Sequence, residues 1–154
     1  MSRATRTIPR STNAYDIKVK PGHYIRRLQQ IANAIFMEET KSFGITPVQL
    51  AVIMTLLASP DIDQRTLASA IDFDAATVGG VIDRLEKRKL LQRYASPEDR
   101  RAKLLSLTRE GVKLTDELLP LILKIQKRLL VPLSAKDQTA FAKMLKQLVE
   151  FHSS

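Results

Sequence analysis

The stretch that decides the fold is Gln64-Arg65-Thr66-Leu67-Ala68-Ser69-Ala70-Ile71-Asp72-Phe73-Asp74-Ala75-Ala76-Thr77-Val78-Gly79-Gly80-Val81-Ile82-Asp83-Arg84-Leu85. Gln64 to Ile71 reads as a short helix with Leu67, Ala68 and Ile71 as its apolar contacts. Asp72-Phe73-Asp74 is a turn, and Asp74 is an N-cap for a second helix reaching about Lys89. Val78, Val81, Ile82 and Leu85 form an i, i+3, i+4, i+7 set that must face a core. The opposite face carries Ala75, Ala76, Thr77, Gly79, Gly80, Asp83, Arg84 and Lys87. Two short helices across a tight turn are a helix-turn-helix.

Upstream, Thr46-Pro47-Val48-Gln49 is a capping box with proline at the first helical position. Leu50 to Ala58 is apolar on all sides, as suits a central buried helix, and Ser59-Pro60-Asp61 ends it. Before it, Pro21 to Phe43 predicts a helix: Ile25, Leu28, Ala32, Ile35 and Glu39 recur at spacings of three and four, and Gly44 stops it. Downstream, Leu91–Ala95 and Lys103–Leu107 read as short strands around Ser96-Pro97-Glu98-Asp99-Arg100-Arg101, a hairpin with a basic tip. Thr108 caps a long helix to about Leu130 with Leu118, Ile122, Ile125 and Leu129 in one stripe, and Pro120 predicts a bend in it. Ser134 caps a last helix striped by Phe141, Met144, Leu145, Leu148 and Phe151.

The expected fold is mainly α with a small β-hairpin wing, a winged helix-turn-helix. Its terminal helices carry more apolar surface than one copy can cover, which predicts a homodimer. The chain divides into a basic N-terminal arm (1–20), a helical dimerisation region (21–45 and 108–154) and a winged helix-turn-helix domain (46–107).

With 154 residues, 44% apolar and 27% charged, the chain has ordinary globular usage and length for one core. It has no cysteine, which excludes disulfides and thiolate chemistry, and no apolar run approaching the ~20 residues of a membrane helix. Lys and Arg number 25 against 16 Asp and Glu, a formal net charge of +9. That surplus points to a polyanionic partner, nucleic acid or an anionic membrane surface. The arm holds Arg3, Arg6, Arg10, Lys18 and Lys20 without a secretory apolar segment.

Catalysis finds no constellation. His23 and His152 stand at opposite ends, the glycines form no phosphate-binding loop, and the acid pairs Glu38-Glu39, Asp61/Asp63 and Glu98-Asp99 suit caps, turns and solvated faces. No enzyme activity, metal or cofactor is expected.

A recognition helix needs small or polar residues at its leading end, and Ala75, Ala76, Thr77, Gly79 and Gly80 supply them. Glycines inside a helix cost roughly 1 kcal/mol each, so they need a reason; helix packing is the competing one. Gln64, Arg65 and Thr66 are placed to donate to a phosphate. Arg100 and Arg101 give the hairpin tip the charge to enter a minor groove, with Asp99 expected to orient the Arg101 guanidinium in a bidentate pair.

Asp83-Arg84-Leu85-Glu86-Lys87-Arg88, Ser96-Pro97-Glu98-Asp99-Arg100-Arg101 and Leu107-Thr108-Arg109-Glu110-Gly111, in this order and spacing, resemble the signature of the MarR family of bacterial winged-helix regulators. The resemblance runs from about Pro21 to Phe151. It implies a cytoplasmic homodimer on a pseudo-palindromic operator of double-stranded DNA, with Thr77, Gly79, Gly80 and Arg84 on the recognition helix and Arg101 at the wing tip. This chain departs from the family pattern at Lys89, where glycine is usual, and at Ser96, where aspartate is frequent. The resemblance also implies an effector pocket between the first two helices and the long helix, near the dimer interface. His23, Tyr24 and Arg27 are suited to hold an aromatic carboxylic acid, and the Pro21 to Arg27 opening is similar to regulators of aromatic and heteroaromatic acid breakdown. The expected function is a repressor released by such an acid or its CoA thioester. A ligand-independent architectural DNA binder and a membrane-docking basic protein are the alternatives.

Overall fold

The computed structural model describes residues 17–99 and 101–153. After a 3-10 turn at Ile17–Val19 come α1 (Pro21–Glu39), α2 (Pro47–Ala58), β1 (Ile62–Asp63), α3 (Gln64–Ala70) and α4 (Ala75–Lys87). Then follow β2 (Leu91–Ala95), β3 (Lys103–Leu107), α5 (Arg109–Leu130) and α6 (Ala135–His152). No described helix is long and apolar enough to cross a membrane.

The helices begin where side chains can satisfy their free N–H groups. Thr46 and Gln49 cap each other reciprocally at α2. Asp63, Asp74, Thr108 and Ser134 accept from the third residue of α3, α4, α5 and α6. Helix α1 ends four residues short of the expected Phe43: Thr40 closes it with both its N–H and its hydroxyl (2.8 Å) on Phe36 O, and a 3-10 turn, Lys41–Phe43, follows. Gly44 then takes φ 57°, the left-handed bend that lets the chain turn into α2. Pro120 lies inside α5 without ending it. The carbonyl deprived of its partner belongs to Asp116, an exposed residue that water can reach.

The sheet has the order β1-β3-β2, antiparallel throughout. Strands β2 and β3 pair from Leu91↔Leu107 to Ala95↔Lys103, the wing that alternation predicts. Strand β1 is an addition: Ile62 and Asp63 pair with Leu105 and Leu104, too short a segment to show a period.

One core serves all layers. Val52, Ile53 and Leu56 of α2, Leu67 and Ala68 of α3, Val78, Val81, Ile82 and Leu85 of α4, Leu91 and Leu105 of the wing, and Leu118 and Ile125 of α5 are all buried. Burying each large side chain stabilises by about 1.5–3 kcal/mol, so the α4 quartet alone orients that helix firmly. The last turn of α2 emerges, with Leu57 and Ala58 exposed rather than buried. At the C-terminal end of α1, Glu39 receives Lys124 Nζ at 2.8 Å and the Arg128 guanidinium, and Glu38 receives Arg128 at 3.0 Å. Lys124 first and Arg128 second hold the Glu39 carboxyl below the usual carboxylate range. On the other side of that connection, Arg88 at the end of α4 donates to Gly44 O at 2.9 Å and Phe43 O at 2.7 Å. The outer stripes of the terminal helices stay exposed: Ile25 and Ile31 on α1, Leu123 on α5, and Met144, Leu148 and Phe151 on α6.

Candidate nucleic-acid interface

Helix α4 turns Ala75, Ala76 and Thr77 outward at its leading end, with Asp83, Arg84 and Lys87 further along the same side. Asp74 caps this end, accepting the Thr77 N–H at Oδ1 (2.8 Å) and the Thr77 hydroxyl at Oδ2 (2.5 Å). Those two bonds, the hydroxyl first, hold the Asp74 carboxyl below its ordinary value.

The glycine pair divides into two roles. A Cβ on Gly79 would come 2.9 Å from Gln64 Nε2, so a side chain here would push the end of Gln64 aside rather than part the helices. The same Nε2 donates to Ala75 O at 2.9 Å, which makes Gln64 a strut between the two helices as well as a candidate phosphate donor. Gly80 opens outward, with the Arg84 guanidinium 4.0 Å from where its Cβ would lie. Gly79 is thus crowded only by the Gln64 amide, and Gly80 by no neighbour. Arg65 and Thr66 are exposed at the start of α3.

In the wing, Ser96 does the work expected of a carboxylate: its buried hydroxyl accepts from Glu98 N at 3.2 Å and Asp99 N at 3.4 Å. Asp99 differs from expectation. Its Oδ1 accepts from the main-chain N–H of Arg101 at 2.9 Å rather than gripping the guanidinium, because a two-residue separation in a tight turn favours the local Asx-type bond. The Arg101 side chain is exposed. Arg100 and residues 1–16 of the arm lie outside the described residues. Lys89 does adopt the left-handed exit, at φ 59°, which costs a non-glycine on the order of 1 kcal/mol.

Sequence reasoning missed the tie between wing and helix. Arg93 of β2 donates to Asp83 at 2.6 Å and pairs with Glu86, both on α4. Burial opposes the Arg93 charge, but Asp83 and Glu86 outweigh it and raise its pKa. The only signal was the pair of acids spaced i, i+3 on the outer face of α4, which no local pattern links to a strand residue ten positions away.

The residues singled out for an effector converge in part. Tyr24 and Arg27 line a cavity of about 310 Å³ together with Ile25, Leu28, Ile31, Phe141 and Leu145. Its walls are α1 and α6, not the first two helices and α5 that the resemblance implied. Tyr24, Arg27, Leu28 and Ile31 share one face at helical spacing; His23 is a step off it and instead meets the Tyr24 ring edge-on at 5.8 Å. The Arg27 guanidinium donates to Gln30 Oε1 at 2.9 Å. No group of three or more potential metal ligands exists among the described residues.

A capped, smooth-fronted helix set beside an antiparallel wing is the architecture of a winged helix-turn-helix. Residues 45–103 match the family model described as MarR family. The chain is 28% identical over 142 residues to the HTH-type transcriptional repressor NicR of Pseudomonas putida, covering 92% of this chain and 90% of that protein. Among solved structures it is similar to BpsR of Bordetella bronchiseptica, a protein whose DNA binding is regulated by 6-hydroxynicotinic acid, with 31% identity, a TM-score of 0.83 and coverage of 88% and 96%. It is also similar to the transcriptional repressor CouR bound to a 23-mer DNA duplex, with 25% identity, a TM-score of 0.83 and coverage of 90% and 99%. The chain belongs to the MarR family and is a transcriptional regulator of that type.

Proposed function

We propose that this regulator is a cytoplasmic, homodimeric repressor that binds a pseudo-palindromic operator and is released by a small aromatic or heteroaromatic carboxylic acid or its CoA thioester. The observation that carries the DNA half is the leading end of α4, whose exposed Ala75, Ala76 and Thr77 and open Gly80 let backbone approach base edges. Arg65 and Thr66 supply phosphate donors, joined by Gln64 through whatever its strut leaves free, and Arg84, Arg100 and Arg101 supply charge. The division into arm (1–20), dimerisation helices (21–45 and 108–154) and DNA-binding domain (46–107) belongs to this reading, since the exposed stripes of α1, α5 and α6 await a second copy.

Retardation of a randomised duplex pool tests the DNA reading. The Arg101→Ala protein is expected to bind the enriched duplex about 1–3 kcal/mol more weakly and to lower the salt slope by about one unit. Unchanged affinity at two salt concentrations would remove the wing from the interface.

NicR is a repressor and BpsR answers to a hydroxylated pyridine acid, which supports an acid effector here. The cavity beside Arg27, whose Ile25 and Ile31 also belong to the stripe that awaits a second copy, offers such a molecule an apolar slot at the dimer seam with one cation at its edge. Ligand binding that favours one spacing of the two recognition helices would shift the population away from the operator-bound form. Arg27→Ala is therefore expected to leave duplex affinity nearly intact while weakening the response to 6-hydroxynicotinic acid at least tenfold, the scale of one charge-assisted bond. An unaltered titration with altered salt dependence would place Arg27 against phosphate instead.

A further inference from the structure

The first two turns of α4 present few groups that can read a base. Ala75, Ala76, Gly79 and Gly80 carry no polar side-chain atom, so Thr77 is the first side chain along the helix able to hydrogen-bond a base edge. Asp83, further along, is engaged by Arg93. What Thr77 can offer is set by its neighbour. Its hydroxyl lies 2.5 Å from Asp74 Oδ2, while Oδ1 of the same carboxylate takes the Thr77 N–H at 2.8 Å. An ionised carboxylate only accepts, and these same bonds keep Asp74 ionised at neutral pH. The hydroxyl must therefore donate its single hydrogen to Asp74. Toward the solvent side it is left with lone pairs alone.

We propose that Thr77 is a specificity-determining residue that accepts a hydrogen bond from an exocyclic amine in the major groove, adenine N6 or cytosine N4, and rejects the keto oxygens of guanine and thymine at that position. Asp74 acts through Thr77 as the positioning residue that fixes this polarity. The major groove is where the four bases differ in this way, each showing a distinct donor and acceptor pattern. The inference rests on α4 being the recognition helix, and it adds which chemical half of the base alphabet one position selects.

The experiment is selection from a duplex pool whose randomised stretch spans two half-sites one helical turn apart, with circular dichroism of every variant as the fold check. The unmodified protein is expected to enrich adenine or cytosine at one symmetric pair of positions. Thr77→Val keeps the shape and the N–H cap but loses the acceptor, so preference there should fall about three- to tenfold, the reach of one neutral hydrogen bond, with other positions unchanged. Thr77→Ser should retain the preference. Asp74→Asn is as good an N-cap, and its amide can donate to the Thr77 hydroxyl and free that hydrogen. Its selected base is expected to invert to guanine or thymine. Replacing the selected adenine by purine, or the selected cytosine by a base lacking the amine, should weaken the unmodified protein and leave Thr77→Val unaffected. Thr77→Val with every preference intact, or Asp74→Asn still choosing amines, overturns the inference. A pool from which nothing is enriched overturns the DNA-binding reading itself, a different result from either.

Discussion

Gly111→Ala is expected to destabilise the fold by about 3 kcal/mol, the upper end of overpacking costs, and to lower the melting temperature by roughly 6–12 °C. A Cβ at this position would stand 2.0 Å from Leu90 O and 3.0 Å from Leu90 C. The carbonyl cannot swing away freely, because it accepts the Thr108 N–H at 3.1 Å, and Thr108 in turn caps α5 and donates its hydroxyl to Lys89 O at 2.6 Å. Leu90 joins α4 to β2, so the added methyl would push the start of α5 away from the piece that carries both recognition helix and wing. Thermal melts followed by circular dichroism decide it. A melting temperature within about 2 °C of the unmodified protein would mean that the backbone relaxes around the methyl.

Gly80→Glu is expected to do the reverse: leave or raise the melting temperature and reduce binding of the selected duplex at least a hundredfold, to the non-specific level. Nothing crowds a side chain here, and replacing a helical glycine with glutamate favours the helix by roughly 0.5–1 kcal/mol. Residue 84 lies one turn on, so the new carboxylate would pair with the Arg84 guanidinium and take it from the DNA. The carboxylate would also meet phosphate-rich surface with like charge. Gly80→Ala separates bulk from charge: it should stabilise the fold similarly and weaken binding far less. A Gly80→Glu protein that melts early would show that the position is packed, and one that binds normally would show that α4 does not enter the groove by this face.

The contrast between these glycines marks what the sequence can carry. Elements governed by neighbours along the chain were readable: both wing strands, the caps at Thr46, Asp74, Thr108 and Ser134, and the bounds of α5 agree with the pattern. Contacts between distant residues were not. Strand β1 exists because Ile62 and Asp63 meet β3, the contact at Gly79 comes from Gln64 of another helix, and Arg93 finds its acids across the wing. Asp99 failed for the opposite reason: a long-range style of pairing was expected where a local main-chain bond was nearer. His23 lies outside the α1–α6 cavity, which follows 24, 27, 28 and 31, because the three residues between it and Arg27 turn it to the edge of that face.

The Arg88 fork has a mechanical meaning. Its two bonds to Phe43 O and Gly44 O fasten the end of the recognition helix to the connector between α1 and α2. Segments pinned at a helix terminus by a planar, multiply bonded group travel together in small motions. The connector is in turn continuous with the end of α1 that Lys124 and Arg128 hold to α5. A shift of the outer helices would therefore reach the recognition helix first at its C-terminal end, through the one guanidinium of Arg88.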